Sequence, residues 1–305
     1  MRVEEVKNPS PATATFVELD FIPAQVFPPE DRMTIPLLRL MLATDDVRLA
    51  REFYVETSER LRAAVGVRQR LLTGEHWYGF RLLCSHLHEG IDALATLIGT
   101  VSPTEIRRLL KGQAEGLAAF EKLRAVAGVD KPTRMQTFLF KARSWIGSHY
   151  DNEAIRRVFS RYVGSGYIEG TVTASDVGGL TRFIMTDALA ILVLLDAAGA
   201  KLPTAMATEA DIAAFRAEVE AAIQASAGEV LPLSEALPTF VDALAHTLVL
   251  QRGHTGGKRV IIEVPPLLRA ATESVSLDRE DTVTSPEKGG GSRSSDTIDA
   301  GQEEA

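Results

Sequence analysis

The sequence predicts an all-α protein in which a helical bundle is followed by a helical extension and an acidic tail. Alanine and leucine dominate the middle of the chain and runs of β-branched residues are scarce, which favours helix over strand. Apolar residues also recur at helical spacing along most of the chain. With 305 residues, of which 45% are hydrophobic and 24% charged, the composition is that of an ordinary globular protein with a sizeable core.

The predicted bundle occupies residues 34–175. Its first helix begins at Thr34, a residue type that caps helices, and carries an apolar stripe that runs from Leu37 to Leu61 through Met41, Val47 and Tyr54. The motif Ser102-Pro103-Thr104-Glu105 fits a capping box with proline at the first helical position. The remaining predicted helices cover about 76–101, 103–127, 134–146 and, capped by Asn152, residues up to 163.

The predicted extension occupies residues 176–270. It contains a buried helix over 177–198, helices over about 209–227 and 233–250, and a short strand from Arg259 to Val264. A second strand pattern, Val17-Leu19-Phe21, lies in the proline-rich N-terminal arm of residues 1–33. An isolated strand leaves its backbone N–H and C=O groups unpaired. We therefore expect the two strands to pair as a two-stranded ribbon packed on the bundle.

Most of the net charge of −8 comes from the C-terminal tail. Residues 271–305 contain nine acidic and three basic residues, so they contribute −6 and leave about −2 for the rest of the chain. The folded part is therefore not a bulk polyanion binder, although a local basic patch remains compatible with this balance. The tail is also rich in serine and glycine, and this composition predicts disorder.

Several features predict a cytoplasmic protein that does not enter a membrane. The single cysteine, Cys84, cannot form an intrachain disulfide. The first residues lack the apolar segment of a signal peptide. The most apolar segment, Phe183 to Gly199, is interrupted by Asp187 and Asp196 and is shorter than the ~20 apolar residues that a spanning helix needs. We expect it to form a buried helix.

The strongest functional candidate is the segment from Arg143 to Tyr150. A predicted helix ends here on Gly147-Ser148, and His149 follows directly. In one straight helix, residues six apart point about 240° away from each other and lie ~9 Å apart along the axis. The Gly-Ser break would allow His149 to return towards Arg143. An arginine fork suits a phosphate, and histidine can transfer a proton near neutral pH.

The spacing Arg143-x5-His149 resembles the R-x(4–6)-H signature of the HEPN superfamily (higher eukaryotes and prokaryotes nucleotide-binding), over about residues 37–163. In that family asparagine often follows the arginine, where this chain has Ser144, and the tyrosine often lies one residue further on than Tyr150. The same bare spacing occurs at Arg70–His76, Arg81–His86 and Arg81–His88. Many HEPN domains are metal-independent endoribonucleases of toxin–antitoxin, phage-defence and RNA-processing systems.

The resemblance implies roles for these residues. His149 would be the general base on a ribose 2′-hydroxyl or the acid for the leaving oxygen, and Arg143 would stabilise the phosphorane. Tyr150 would position the phosphate or stack on a base. RNA and an antitoxin-like protein become candidate partners. The simpler alternative is that the arginine and histidine only bond helix-end carbonyls and a neighbouring acid.

Two further groups of polar residues are candidates for binding. If the resemblance to HEPN domains holds, His88 and Glu89 of the second predicted helix would face the Arg143–His149 site; otherwise they belong to a polar stripe that flanks the apolar core or lines a groove. Cys84, His88 and Asp92 also share one helical stripe at a spacing that metal sites use, but no partner helix offers a second ligand set, so we predict no metal. After the motif, Arg157 and Arg161 would hold an RNA backbone or simply form a solvated face.

The sequence therefore predicts binding of RNA or a nucleotide phosphate, and endoribonuclease activity if Arg143 and His149 are catalytic. The alternative from another functional class is a non-catalytic helical interaction module that pairs with itself or with a partner protein. No nucleophile elbow, phosphate-binding glycine loop, dinucleotide fingerprint or Cys-x-x-Cys pair is present in the sequence, and we predict no cofactor.

Overall fold

The structure is a computed structural model that describes residues 13–128, 131–147, 150–163, 167–168, 172–173, 182–203 and 208–263. These residues form an all-α fold, as predicted, with two small two-stranded ribbons. In chain order the elements are β1 (Thr13–Phe21), α1 (Pro23–Val26), α2 (Thr34–Arg62), α3 (Gly66–Thr100), α4 (Pro103–Leu109), α5 (Ala114–Ala127), α6 (Arg134–Ala142), α7 (Asn152–Tyr162), β2 (Val172–Thr173), β3 (Arg182–Phe183), α8 (Ile184–Ala197), α9 (Glu209–Arg252) and β4 (His254–Glu263). The predicted tail 271–305 lies outside the described residues.

The long helices α2 and α3 form a hairpin at the centre of the fold. The helix α9 packs along α5 and α2, and α8 packs against α3 and α7. One hydrophobic cluster connects all of these helices. Its largest fully buried side chains include Phe120, Phe215, Phe240, Leu37, Leu87 and Leu94. The helices on either side of residue 175 thus share one core, and the division into bundle and extension stays a prediction.

The predicted ribbon between the two ends of the chain is confirmed. β1 and β4 pair antiparallel, from Thr13 opposite Glu263 to Phe21 opposite His254, with an irregularity at Asp20 and Phe21. The Phe21 ring packs edge-on against Phe27, 5.8 Å between centroids, and fastens the ribbon to the helices. Val264, the last residue of the predicted strand, lies outside the described residues. A second ribbon, β2 with β3, was not predicted.

The central helices differ from the predicted bounds at two turns. α3 begins at Gly66 rather than near His76, because Gly66 makes the left-handed turn (φ +63°) that starts the helix, and Leu72 is already buried in its second turn. The predicted helix 103–127 is two helices. Gly112 adopts φ +93°, a conformation that favours glycine, and separates α4 from α5.

The predicted helices 209–227 and 233–250 are one continuous helix, α9, that contains Pro232 and Pro238. An interior proline costs about 3 kcal/mol, but buried side chains such as Val230, Leu237 and Phe240 flank both prolines and outweigh that cost. By length and composition alone α9 could cross a membrane, and 56% of its most apolar window is buried inside the protein. Such burial is typical of a core helix.

Two predicted caps are each one position from the true one. Thr34 is the first helical residue of α2 and follows the N-cap Met33; the hydroxyl of Thr34 donates to the carbonyl of Pro28, and the carboxylate of Asp31 accepts the backbone N–H of Met33 at 2.9 Å. Asn152 is the first helical residue of α7, and the carboxylate of Asp151 caps the helix instead. An aspartate satisfies an orphan N–H as well as asparagine or threonine does, so the sequence does not distinguish these positions.

Candidate functional site

Arg143 occupies a turn where the backbone hydrogen bonding changes. The α-helical pattern of α6 ends at Ala142, and residues Arg143–Gly147 form one π-helical turn that directly continues it. The backbone N–H of Asp151 then donates to the carbonyl of Trp145 at 3.1 Å, which closes the loop into α7. The predicted helix end at Gly147 is therefore confirmed. Single π-turns often occur at functional sites, because they re-aim the side chains around them.

Arg143 is held by a glutamate from α3. Its Nη2 lies 2.8 Å from Oε1 of Glu89, and both side chains are half-exposed. The other oxygen of Glu89 lies 3.5 Å from Arg39 of α2, and Arg39 contacts Asp92 at 2.7 Å. Two arginines and two carboxylates thus form one chain of ion pairs at the surface of α2, α3 and α6. The prediction that Glu89 faces Arg143 is consistent with this contact.

His88 borders the same site from the inner side. Its Nδ1 is buried and has no hydrogen-bond partner among the described residues. Burial lowers the pKa of His88, and the positive charge of Arg143 lowers it further, while Glu89 acts in the opposite direction. His88 is therefore neutral at pH 7, and its unpartnered nitrogen is enclosed within the protein.

A groove of about 410 Å³ opens beside His88 between α3 and α6. Phe140 forms one wall, with its ring 5.8 Å from the imidazole of His88 in an edge-to-face arrangement. About half of Phe140 (52%) is exposed. Gln136 also lines the groove, but its side-chain amide already has partners: its oxygen accepts the backbone N–H of Thr133, and its nitrogen donates to the carbonyl of Ala127. The groove thus offers an exposed aromatic face beside a neutral imidazole ring, a combination suited to a flat heterocycle.

The basic residues after the motif have different surroundings. Arg157 stacks on the ring of Trp145 at 4.9 Å and contacts Asp196 at 2.8 Å, so its charge is already paired. Arg161 is exposed and lies 5.4 Å from the ring of Tyr162. Tyr150 is 69% exposed at the start of the segment that leads into α7. Arg161 and Tyr150 therefore remain accessible to a ligand, whereas Arg157 would have to leave Asp196.

His149 lies outside the described residues, together with Ser148. Its predicted approach to Arg143 stays a prediction. The described residues on either side are Gly147 and Tyr150. A Cβ on Gly147 would lie 3.1 Å from the carbonyl of Ala142 in α6 and in ordinary contact, at 3.4 Å, with the side chain of Ser85 in α3. The close approach at this glycine is therefore to the preceding turn of its own helix.

The alternative metal stripe on α3 is not assembled in the structure. Cys84 is fully buried in the hydrophobic core, where burial raises the pKa of its thiol. His88 and Asp92 line the groove instead. Among the described residues, no group of three His, Cys, Asp or Glu side chains could hold a metal ion.

A second histidine, His76, lines a separate cavity of about 690 Å³ between α2, α3 and α9. Its Nδ1 lies 3.0 Å from Oγ of Ser58, and its ring stacks on Tyr54 at 4.6 Å. Burial lowers the pKa of His76 to about 4, so the ring is neutral at pH 7. The Ser58 hydroxyl already donates to the carbonyl of Tyr54, so its oxygen accepts from the histidine N–H. This pair is a structural bond, because the histidine cannot act as a base on a hydroxyl whose proton points elsewhere.

Sequence reasoning missed two residues of the site. Arg39 lies on α2, more than a hundred residues before Arg143, and the helical pattern gave no reason to place it near Asp92. Phe140 occupies an exposed position of α6, where an aromatic side chain was a weak signal of binding. Comparisons of the chain with protein-family models, with curated proteins and with solved structures found no match. The similarity to HEPN domains accordingly rests on the sequence motif alone.

Proposed function

We propose that the protein binds RNA or a nucleotide phosphate at the face formed by α3, α6 and the π-turn, and cleaves RNA there without a metal ion. The single observation that carries the proposal is the position of Arg143: Glu89 pairs with it, and its charge acts on His88, which lines the groove together with Phe140. A phosphate on Arg143 would leave the attached base within reach of that groove. The rest of the motif, His149 and Tyr150, follows Arg143 in sequence by a few residues.

Each group has a definite task in the proposed reaction. Glu89 contacts one terminal nitrogen of Arg143, and a guanidinium carries five N–H donors, so donors remain for a phosphate oxygen. His149 takes the proton of a ribose 2′-hydroxyl, whose oxygen attacks the adjacent phosphorus. The 5′-oxygen leaves and takes up a proton, and a 2′,3′-cyclic phosphate remains. Arg143 balances the negative charge that grows on the phosphorane.

The test is cleavage of labelled single-stranded RNA by the full chain in excess EDTA. Wild type is expected to cleave, and the Arg143→Ala and His149→Ala variants are expected to lose cleavage. Two matched variants should keep it: Arg134→Ala removes another arginine of α6 that pairs with a glutamate, and His246→Ala removes an exposed histidine of α9. A strand with deoxyribose at every position should bind and remain intact, because the attacking hydroxyl is missing.

Stability separates a catalytic loss from misfolding. If His149 serves only in the reaction, His149→Ala should change the free energy of unfolding by no more than about 0.5 kcal/mol and unfold like wild type. Cleavage that survives His149→Ala, or that disappears with EDTA, contradicts the proposed mechanism. Absence of both RNA binding and nucleotide binding in wild type contradicts the proposal as a whole.

The alternative function, a non-catalytic interaction module, is favoured by a different observation. Arg143 already has a carboxylate partner, as a purely structural arginine would. In addition, the helix α2 exposes several large apolar side chains to solvent. If the alternative holds, Arg143→Ala changes stability slightly and RNA binding not at all, since an ion pair at this exposure contributes about 0–1 kcal/mol.

A further inference from the structure

The helix α2 has two apolar faces, and only one of them is buried in the protein. The inner face, which includes Leu37, Leu40 and Val47, is fully covered by α3 and α9. The outer face carries the α2 stripe, defined as the four large apolar residues that point to solvent: Ile35, Leu38, Leu42 and Leu49, which are 64%, 36%, 70% and 65% exposed. A surface helix of a monomer needs one apolar face.

The α2 stripe is continuous along the helix. Ile35, Leu42 and Leu49 repeat every seven residues, so they fall on one line along the outer face, and Leu38 lies beside them. At 1.5 Å per residue the line is roughly 21 Å long, which matches the contact length of a packed helix pair. Exposed apolar surface of this extent in a protein of ordinary composition marks a binding surface.

Charges on one edge of the stripe indicate the occupant. The centre of the stripe is Leu42; Arg39 precedes it and Asp46 follows it, and both lie on the edge that faces α3. If a second α2 packs antiparallel with its Leu42 against the first, residues before Leu42 come opposite residues about equally far after it. Ile35 then meets Leu49 of the second copy, and Arg39, three positions before Leu42, lies close to the second copy's Asp46, four positions after it.

The opposite orientation and a lipid surface both fit this face less well. In a parallel pair one edge of the stripe would meet the opposite edge of the second copy, so Asp46 would face the second copy's Asp45, and like charges repel. An anionic membrane surface favours lysine and arginine beside an apolar stripe, whereas Asp45 and Asp46 lie next to Leu42. The charge pattern is therefore complementary to itself only when two helices run in opposite directions around a two-fold axis.

We propose that the α2 stripe is the interface of a homodimer, in which two copies of α2 pack antiparallel with Leu42 on the two-fold axis. The surface lies on the outside of the α2–α3 hairpin. A two-fold contact uses the same patch on both copies, so a single substitution on the axis acts twice. The proposal does not depend on the proposed nuclease activity.

Cross-linking tests the geometry directly. The chain has one cysteine, Cys84, and it is fully buried, so an introduced surface cysteine is the one accessible thiol. Under mild oxidation Leu42→Cys should form a disulfide-linked dimer, because its two copies meet on the axis within disulfide reach. Ile35→Cys alone and Leu49→Cys alone should stay monomeric on denaturing gels, and an equimolar mixture of the two should form the mixed dimer.

Sedimentation velocity of the uncross-linked chain tests the interface itself. Wild type is expected to be a dimer. Leu42→Glu should weaken dimerisation by at least roughly a hundredfold, because it places two like charges together in an apolar contact. Leu250→Glu, at an exposed leucine of α9 outside the stripe, should leave the dimer intact. A monomeric wild type, a Leu42→Glu dimer, or cross-links from all three single cysteines would each overturn the proposal.

Discussion

The neutral, half-buried His76 should make the stability of the protein depend on pH in a way that one substitution removes. Its pKa is lowered to about 4 in the folded protein, chiefly by burial and then by the charge of Arg62. The ordinary value of 6.5 applies to the unfolded chain. Between these two pKa values the unfolded state binds a proton that the folded state does not, so unfolding becomes more favourable as the pH falls.

The size of the effect follows from the two pKa values. The stability that the neutral His76 contributes is fully present above about pH 6.5 and is lost progressively as the pH falls towards 4. Linkage gives about 2 kcal/mol between pH 7 and pH 5 for a shift of this size. Because His76 is partly exposed in its cavity, solvent screening reduces the figure, and we expect about 1 kcal/mol.

The assay is urea unfolding of wild type and His76→Gln at pH 7 and pH 5. Other titrating groups are common to both proteins and cancel in the difference between them. Wild type should lose about 1 kcal/mol more of its free energy of unfolding than the variant over this range. His246→Gln, at an exposed position, should keep the wild-type dependence. If wild type and His76→Gln lose the same free energy of unfolding between pH 7 and pH 5, the lowered pKa of His76 and the burial that causes it are refuted.

Two further predictions concern the fold. Deletion of residues 1–25 removes β1 and should lower the melting temperature measured by circular dichroism, whereas deletion of 271–305 should not; an unchanged melting temperature for the first deletion would contradict the β1–β4 pairing. Gly116→Ala should destabilise the protein by about 1–3 kcal/mol, since its Cβ would lie 2.3 Å from that of Ala243, while Gly99→Ala in open space should stabilise it by about 0.5–1 kcal/mol. A neutral Gly116→Ala in chemical denaturation would show that α5 and α9 are not in close contact.

The sequence predicted most elements because local signals and tertiary packing agree in them. The apolar period of 3.6 residues located the helices of the bundle, and the requirement that strand backbones be paired identified β1 and β4 as partners. The predictions were wrong where tertiary contacts outweigh local preference. A break was predicted between residues 227 and 233, but burial on both sides keeps α9 continuous through this stretch. The start of α3 was missed because residues 66–75 carry little apolar periodicity.

The sequence likewise predicted some residues of the candidate site and missed others. Sequence spacing identified Arg143, and the resemblance to HEPN domains suggested that His88 and Glu89 of the second helix face it. Sequence spacing could not identify Arg39 as part of the site, because its ion pair with Asp92 depends on how α2 and α3 are rotated against each other. Nor could it predict the π-turn, which changes the direction of side chains within one turn and has no residue-type signature here.

The pairing of the two chain ends has a consequence for how the protein is made. Each residue of β1 has its partner in β4 roughly 240 residues later in the sequence. At a synthesis rate of 5–20 residues per second, the first strand leaves the ribosome roughly 10 to 50 seconds before its partner exists. During that interval the backbone of β1 is an open edge that any other extended chain can join. Ribosome-associated chaperones should therefore contact the N-terminal arm of this protein for most of its synthesis.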